Sequence, residues 1–331
     1  MSDNFKALMI NKTDDKQAIS IVNIDESELM EGNVVVDVTH STLNYKDGLA
    51  ITGSSPIVRT FPMIPGIDFS GVVRSSEDKK FSEGDRVVLN GYGLSENHFG
   101  GYSERARVNS NHLLKLPENI SNKQAMAIGT AGYTAMLCVL AIEDYGIKPE
   151  DGSILVSGAS GGVGSVAISL LSDLGYEVEA STGKIDEADY LKSLGAKSII
   201  DRSELSEPSK PLGKERWAGA IDSVGSQTLV NILAQISYGG GVAACGLAQG
   251  MDLPSTVMPF ILRNVALLGV DSVMAPMNKR ERAWERLSSD INIKKLEEMI
   301  VNTTLDQVEV LAEEILKGKI KGRVVVNISE N

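Results

Sequence analysis

The chain has 331 residues, of which 42% are hydrophobic, and this size suits two domains better than one. Its 44 acidic and 32 basic residues give a net charge of −12, which argues against binding to nucleic acid or to an anionic membrane through bulk charge. The polar N-terminus, the lack of an evident apolar run of about 20 residues and the presence of only two cysteines favour a cytoplasmic protein with no signal peptide, membrane span or disulfide framework.

The first third of the chain, over residues 5–108, is predicted to be rich in β-strands. Short apolar runs alternate there with turns of Gly, Pro, Asn and Ser. The clearest runs lie at 33–38, 71–73 and 85–89. This pattern indicates a β-rich first domain.

After Pro117 the pattern changes to strands and helices in alternation. Helices are predicted at 163–174, 186–194 and 228–236, and buried strands at 153–157, 177–180, 198–200, 218–222, 242–245 and 265–270. About six β units in this order predict an α/β fold with a doubly wound parallel sheet of the Rossmann type. A last strand at 323–328 is expected to return to the first domain.

The most specific local motif is the segment GASGGVG at 158–164, which lies between a predicted strand and a predicted helix. Glycines let the backbone approach a pyrophosphate, and the free amides of a helix N-terminus attract its negative charge. The spacing departs from the common fingerprint, because Ala159 takes the place of its first glycine. The pattern predicts a dinucleotide site, with an ordinary glycine-rich turn as the alternative.

The residues that follow the second predicted strand indicate NADP rather than NAD. An NAD enzyme places Asp or Glu about 20 residues after the glycines, whereas this chain has the sequence STGK at 181–184. Lys184 and Arg202 follow adjacent strands and could oppose the 2′-phosphate, although each alone is more often a solvated surface charge. Asp186 and Glu187 argue mildly against this clamp, but acids are also common in the first turn of a helix. The predicted cofactor is NADPH.

Together the two halves resemble the medium-chain dehydrogenase/reductase superfamily over nearly the whole chain. Four segments, at 43–47 (LNYKD), 61–68 (FPMIPGID), 129–136 (GTAGYTAM) and 257–265 (VMPFILRNV), resemble the acrylyl-CoA reductase branch of its quinone oxidoreductase-like members.

This resemblance implies a GroES-like catalytic domain at 1–126, completed by 277–331, and a Rossmann NADP-binding domain at 127–276. It also implies a homodimer in which the strand at 265–270 extends the sheet, and a buried internal strand is the alternative.

The zinc-containing relatives carry a Cys in the first segment and Gly-His-Glu at the second. This chain has Asn44 and Tyr45 at the first position, and Ile67 and Asp68 at the second. It also contains only three histidines, which we expect to be surface or structural residues. A catalytic zinc therefore lacks ligands, and no metal is expected.

The resemblance implies that the nicotinamide lies between the two domains, where Tyr45 contacts it from the first domain. The residues implied on the second domain fall into three groups: on the pyrophosphate Ser160, Gly161, Gly162 and Val163; on the 2′-phosphate Thr182, Gly183, Lys184 and Arg202; and beside the nicotinamide Leu247, Ile261 and Ser272. By composition alone, Leu247 and Ile261 would be assigned to the hydrophobic core.

The predicted reaction is the zinc-free reduction of the activated C=C bond of acrylyl-CoA to propanoyl-CoA by hydride from NADPH. Negative charge builds on the thioester oxygen during this reaction, so a hydrogen-bond donor is needed there. Tyr45 is the candidate catalytic residue, as that donor or as the proton source, and packing against the nicotinamide is the alternative. Asn44 and Asp47 could orient it.

Two further functions stay open at this point. The first is an NADPH-dependent quinone, enone or enal reductase that uses the same pocket, and the second is a non-catalytic NADPH-binding protein. For the phosphates of an enoyl-CoA thioester, candidate cations are the segment 279–282, Arg286 and Arg59. A charged helix face is the commoner interpretation of such a cluster.

Overall fold

The computed structural model describes residues 4–14 and 16–329 and divides the chain into two compact units. The first unit takes in the described chain up to Thr130, the segment Val273–Glu281 and the described chain from Leu296 onward. The second unit consists of Ala131–Ser272 and Arg282–Lys295.

The segment Arg282–Lys295 clusters with the second unit, although the sequence analysis assigned it to the first domain. Ion pairs give the physical reason. Arg286 lies 2.7 Å from Glu143 and Arg282 lies 2.7 Å from Asp144, and both acids belong to the second unit.

The strands, in chain order, are β1 (Phe5–Thr13), β2 (Lys16–Ile24), β3 (Val34–Leu43), β4 (Asp68–Ser76), β5 (Arg86–Asn90), β6 (Arg105–Val108), β7 (Leu114–Lys115), β8 (Ile154–Val156), β9 (Val178–Thr182), β10 (Ser198–Asp201), β11 (Trp217–Asp222), β12 (Ile236–Ala244), β13 (Ala266–Gly269), β14 (Ile300–Thr304) and β15 (Arg323–Asn327). The α-helices are α1 (Tyr45–Thr52), α2 (Asn122–Tyr145), α3 (Gly162–Asp173), α4 (Ala188–Leu194), α5 (Ser226–Leu233), α6 (Met258–Arg263), α7 (Met277–Asp290), α8 (Ile293–Glu298) and α9 (Val308–Leu316).

The first unit is built on a sheet in the order β14-β15-β3-β4-β5-β7, in which β6 also pairs with β3, and on the separate hairpin β1-β2. Its strands bury alternating apolar side chains around a core that includes Val36, Phe69 and Val326. The last strand, β15, pairs antiparallel with β3, as expected for a strand that returns to the first domain.

The second unit contains a sheet in the order β10-β9-β8-β11-β12-β13, and every pairing in it is parallel. The strand order reverses between β8 and β11, so this is the doubly wound arrangement predicted from the sequence. The expected α/β fold class is confirmed. In such sheets ligands bind at the carboxyl ends of the strands beside the reversal, which is where the turn at 158–164 lies.

One predicted boundary is wrong. The helix expected at 228–236 ends at Leu233, and Ile236 begins the nine-residue strand β12. Strand β12 contains three consecutive glycines, Gly239 to Gly241, and glycine is depleted in strands. The sequence therefore did not predict this part of the strand. The structure explains Gly240, because a Cβ there would collide with the carbonyl oxygen of Ala218 on the neighbouring strand.

Helix α2 corrects the expectation about apolar runs. An 18-residue window in it has a mean hydropathy of 1.8, so by length and composition alone the helix could cross a membrane. However, 94% of that window is buried inside the protein, as in the core helix of a globular fold. Its helical geometry is interrupted at Gly129, where φ is 51° and ψ is −164°.

Candidate functional site

The turn at 158–164 has the geometry that a pyrophosphate requires. Gly158 has a φ of 59°, which a side chain would strain, and Gly161 precedes helix α3 without a side-chain cap on the helix amides. At Gly164 a Cβ would lie 2.5 Å from the oxygen of Gly158, so only glycine permits the close approach of turn and helix. Of the predicted contact residues, Gly161 is exposed and Gly162 and Val163 are half-buried, so the turn fits an anionic ligand.

Ser160 and Thr182 connect this turn to the next strand. Their hydroxyl oxygens lie 3.0 Å apart, and both side chains are buried. Thr182 ends β9, and its hydroxyl also accepts a hydrogen bond of 3.0 Å from the amide of Lys184. The structure therefore brings the predicted pyrophosphate segment and the predicted 2′-phosphate segment together.

Arg202 lies directly over Gly183. A Cβ on Gly183 would be 2.5 Å from Nε and 2.9 Å from Cζ of Arg202, so glycine leaves the space that the guanidinium occupies. Strands β9 and β10 pair in parallel, which brings the two chain segments that follow them to one edge of the sheet. Arg202 is therefore adjacent to the residue that precedes Lys184, as the predicted clamp requires. The ammonium of Lys184 lies 3.3 Å from Oε1 of Glu187.

The residues predicted beside the nicotinamide are not core residues. Leu247 is 59% exposed and Ile261 is 71% exposed, which overturns the assignment that composition alone would give. The Cα of Leu247 is 3.2 Å from the position of a Cβ on Gly225, in the loop that leaves β11. Ser272 is half-buried and follows β13 in the chain. Leu247 is thus an exposed apolar side chain near the carboxyl end of a central strand, a position that suits contact with a ligand, whereas Ile261 lies on helix α6.

On the first unit, Tyr45 is the first residue of α1 and is 42% exposed. The residue before it, Asn44, is buried and caps the helix. The amide of Asn44 donates to Oδ2 of Asp47 at 2.8 Å, and its side-chain Nδ2 donates to the same oxygen at 3.1 Å. The predicted orienting residues therefore hold the turn that carries Tyr45.

Sequence reasoning missed that this turn sits on a larger buried polar cluster. Nδ2 of Asn44 also donates to Oδ2 of Asp68 at 3.2 Å, and the same oxygen accepts a hydrogen bond of 2.6 Å from the amide of Thr130. Arg323, from β15, donates to the hydroxyl of Thr42 at 3.0 Å and to Oδ1 of Asn44 at 3.4 Å. The one available signal was an arginine directly before an apolar run of three valines.

Burial dominates the electrostatics of the two acids in this cluster. It raises the pKa of Asp47 from 3.8 to about 7, and the negative charge of Asp68 adds to the rise, while hydrogen bonds from Asn44 and Ile67 oppose it. Burial also raises the pKa of Asp68, against the hydrogen bond from Thr130 and the charge of Arg323. The cluster beneath Tyr45 can therefore gain or lose a proton near neutral pH.

The arginines considered for CoA phosphates are mostly engaged elsewhere. Arg280 is 2% exposed, donates to the carbonyl oxygens of Val273 and Ala275, and stacks over the Tyr92 ring at 3.8 Å. Arg282 and Arg286 form the ion pairs with acids of the second unit described above. Of these arginines, Arg59 has the most exposed side chain, at 70%, and it lies 3.6 Å from Glu96.

The histidines have structural contacts. The ring nitrogens of His98 lie 3.1 Å from the carbonyl oxygens of Phe99 and Glu31, and the His112 ring stacks on Tyr92 with 4.3 Å between the ring centroids. Within residues 4–14 and 16–329, no group of three or more His, Cys, Asp or Glu side chains is placed to hold a metal ion.

Two family profiles match the chain. The profile described as "Alcohol dehydrogenase GroES-like domain" matches residues 30–118, and the one described as "Zinc-binding dehydrogenase" matches residues 162–289. The first match lies within the first unit, and the second lies within the second unit except for Val273–Glu281.

Two curated proteins are similar over their full length. "Probable acrylyl-CoA reductase AcuI" of Escherichia coli K12 is 52% identical over 98% of this chain and 100% of the relative. "Putative quinone oxidoreductase YhfP" of Bacillus subtilis is 45% identical over 99% of this chain and 100% of the relative. The solved yhdH oxidoreductase of Salmonella enterica, in complex with NADP, is 53% identical with a TM-score of 0.96 over 98% of this chain and 100% of that chain.

Proposed function

The chain belongs to the acrylyl-CoA reductase branch of the medium-chain dehydrogenase/reductase superfamily, and on that premise we propose that it reduces the C=C bond of acrylyl-CoA to propanoyl-CoA with NADPH. The observation that carries the cofactor assignment is the position of Arg202 over Gly183, beside Lys184. Two cations at this edge of the sheet suit the 2′-phosphate that distinguishes NADPH from NADH. A relative 53% identical to the chain was solved with NADP.

Each group of predicted contact residues has a proposed role toward NADPH, which supplies a hydride when bound. The turn at 160–163 holds the diphosphate through its amides and the N-terminus of α3. Thr182, Gly183, Lys184 and Arg202 hold the 2′-phosphate, and Ser272 contacts the nicotinamide together with Leu247 and Ile261. The exposure of those two apolar side chains supports their role.

Tyr45 is proposed as the catalytic residue. The reduction adds a hydride at the β-carbon and a proton at the α-carbon, and negative charge develops on the thioester oxygen between the two events. A phenol that donates a hydrogen bond to this oxygen stabilises that charge. Its exposure and its position on a helix turn held by Asn44 support this role.

The variant Tyr45→Phe tests this assignment. It keeps the aromatic ring and removes the donor, so we expect kcat with acrylyl-CoA to fall on the order of 10²-fold, with an unchanged KM for NADPH. The control is Tyr145→Phe, because Tyr145 is comparably exposed at 37% but lies in the second unit and bonds to the carbonyl of Asn264. Equal kcat values for Tyr45→Phe and the wild type would leave Tyr45 a packing role alone.

A second candidate function is the reduction of quinones, enones or enals in the same pocket. The similarity to a protein named as a putative quinone oxidoreductase, at 45% identity, favours it. NADPH oxidation by the purified protein, measured with acrylyl-CoA beside a quinone and an enone, separates the two. Turnover of the quinone without turnover of acrylyl-CoA would replace the first function by the second.

We also propose a cytoplasmic homodimer that acts on a small molecule and binds neither nucleic acid nor membrane. Strand β13 is at one edge of the parallel sheet, and Leu267 on it is 37% exposed. A second copy could pair with this edge, since unpaired strand edges favour such association. Sedimentation of the wild type should give a dimer, and Leu267→Lys should shift the equilibrium toward monomer.

A further inference from the structure

We propose that Glu187 sets how strongly this enzyme distinguishes NADPH from NADH, by placing a carboxylate against the 2′-phosphate site. The inference rests on the proposed function, and it concerns a residue that the resemblance does not place in the cofactor site. Glu187 acts against the two cations of the clamp. Its removal should therefore improve NADPH binding rather than damage it.

Glu187 is held in place by the turn that begins at Lys184. Its amide donates to the carbonyl oxygen of Lys184 at 3.0 Å, and Oε1 lies 3.3 Å from the ammonium of the same lysine. The other carboxylate oxygen, Oε2, is buried and has no hydrogen-bond partner, and the side chain is 17% exposed. Water therefore screens this negative charge less than it screens an ordinary surface carboxylate.

The distance between this carboxylate and a bound 2′-phosphate is limited by Lys184. An ammonium contacts a phosphate oxygen at about 2.8 Å. If Lys184 contacts both groups, the phosphate oxygen lies within about 6 Å of Oε1, which is shorter than the screening length of about 8 Å at physiological salt. The phosphate carries roughly −1.5 to −2 charge, so the two groups repel each other.

Alternatively, Lys184 moves away from Glu187 to contact the phosphate. The 3.3 Å ion pair between Lys184 and Oε1 of Glu187 is then lost, at a cost in free energy. Both routes weaken the binding of NADPH. Neither affects NADH, because NADH presents a neutral hydroxyl at the same position. Glu187 therefore reduces the preference that Lys184 and Arg202 create.

Glu187 could also help binding by holding Lys184 in position. That contribution is small, because an ion pair three residues apart at a partly exposed site holds a lysine weakly. Repulsion of a phosphate dianion by a mostly buried carboxylate is the larger effect. At 6 Å, even with the dielectric constant of water, it corresponds to roughly a five- to tenfold change in affinity.

The test is a direct binding titration of NADPH and NADH by cofactor fluorescence, with the wild type, Glu187→Gln and the control Asp186→Asn. Asp186 is the exposed acid next to Glu187 in sequence. We expect Glu187→Gln to lower the Kd for NADPH about five- to tenfold and to leave the Kd for NADH within about twofold. We expect Asp186→Asn to leave the ratio of the two Kd values within about twofold. Unchanged thermal melting would show that each variant is folded.

A second experiment separates two effects of Glu187, its repulsion of the 2′-phosphate and its ion pair with Lys184. In the Lys184→Ala background, Glu187→Gln should still tighten NADPH relative to Lys184→Ala alone. The inference is overturned if Glu187→Gln weakens NADPH, leaves the Kd ratio unchanged or is matched by Asp186→Asn. If one of these results is found while the wild type binds NADPH, the proposed function stands and only the role of Glu187 is lost. If the wild type binds no NADPH, the proposed function and the role of Glu187 are both lost.

Discussion

Two regions, the predicted cofactor segments of the second unit and the polar cluster at Tyr45 of the first unit, are built from the chain in different ways. The cofactor segments are two short stretches of chain, 158–164 and 181–184, which lie at the ends of the neighbouring strands β8 and β9. Arg202 follows the next strand, β10. The cluster beneath Tyr45 joins residues as distant as Asn44 and Arg323. The cofactor segments present backbone amides and cations at the surface, whereas the cluster at Tyr45 holds its charged groups in the interior. Removing a charge should therefore affect binding in the cofactor segments and stability in the cluster.

The largest effect is expected for Arg323→Met. This change leaves the buried Asp68 without the cation that opposes its negative charge, which typically costs about 3–5 kcal/mol of unfolding free energy. Urea unfolding measures it. The control is Arg74→Met, since Arg74 is a 40% exposed arginine of the same unit and should cost about 1 kcal/mol or less.

If Arg323→Met abolishes folding, the double variant with Asp68→Asn provides the comparison. It removes one of the two acids together with the cation, and it should regain part of the lost stability. Equal losses for Arg323→Met and Arg74→Met would contradict the buried cluster.

The second-largest effect is expected in the pH dependence of the free energy of unfolding. The pKa of Asp47 is about 7 in the folded protein, against an ordinary value of 3.8. The folded state therefore holds a proton that the unfolded state releases between about pH 4 and 7. The stabilisation from this proton is fully present below about pH 4 and is lost as the pH rises through about 7, and it amounts to about 4 kcal/mol.

The variant Asp47→Asn, which has no such proton, isolates this effect. In urea unfolding at pH 4.5 and 8, the wild type should lose more stability than the variant as the pH rises. A difference between the two proteins that stays constant with pH would contradict the raised pKa of Asp47.

The smallest effect is expected for the cations of the cofactor segments, and it is a change in cofactor affinity. Lys184→Ala and Arg202→Ala should each weaken NADPH by about 1–3 kcal/mol more than NADH, as expected for the loss of a charged hydrogen bond. The binding titration described for Glu187 measures both values. Lys192→Ala, an exposed lysine of helix α4, is the control. Equal losses for the two cofactors would show that neither cation contacts the 2′-phosphate.

The sequence allowed the second unit to be predicted better than the first. Apolar runs bounded by turns predicted each strand of the parallel sheet, because both faces of these strands are buried and the signal is local. Gly240 of β12 gave no such signal, since the reason for glycine there is the approach of Ala218 from another strand. In the first unit, the hairpin β1-β2 and helix α1 lay within a region described only as strand-rich.

The predicted site residues show the same division between local and long-range contacts. Three cofactor elements follow strands directly: the turn at 158–164, Lys184 and Arg202. Their spacing along the chain therefore predicted that they lie at one edge of the sheet. The contact of Arg323 with Asn44 depends on the antiparallel register of β15 with β3, where Val324 pairs with Leu43. No periodicity in the sequence encodes that register. The long-range cluster could therefore be seen only after folding.

Gly129, the residue at which helix α2 breaks, has a consequence for which substitutions this chain can accept. A Cβ there would lie 2.5 Å from Nη2 of Arg323, 2.6 Å from Thr42 and 3.1 Å from Asp68, and the φ of 51° already disfavours any side chain. A comprehensive substitution library should thus show Gly129 as intolerant to every replacement, although a glycine has no side chain with which to recognise a substrate. Such a position is easily mistaken for a catalytic one, when what it contributes is room.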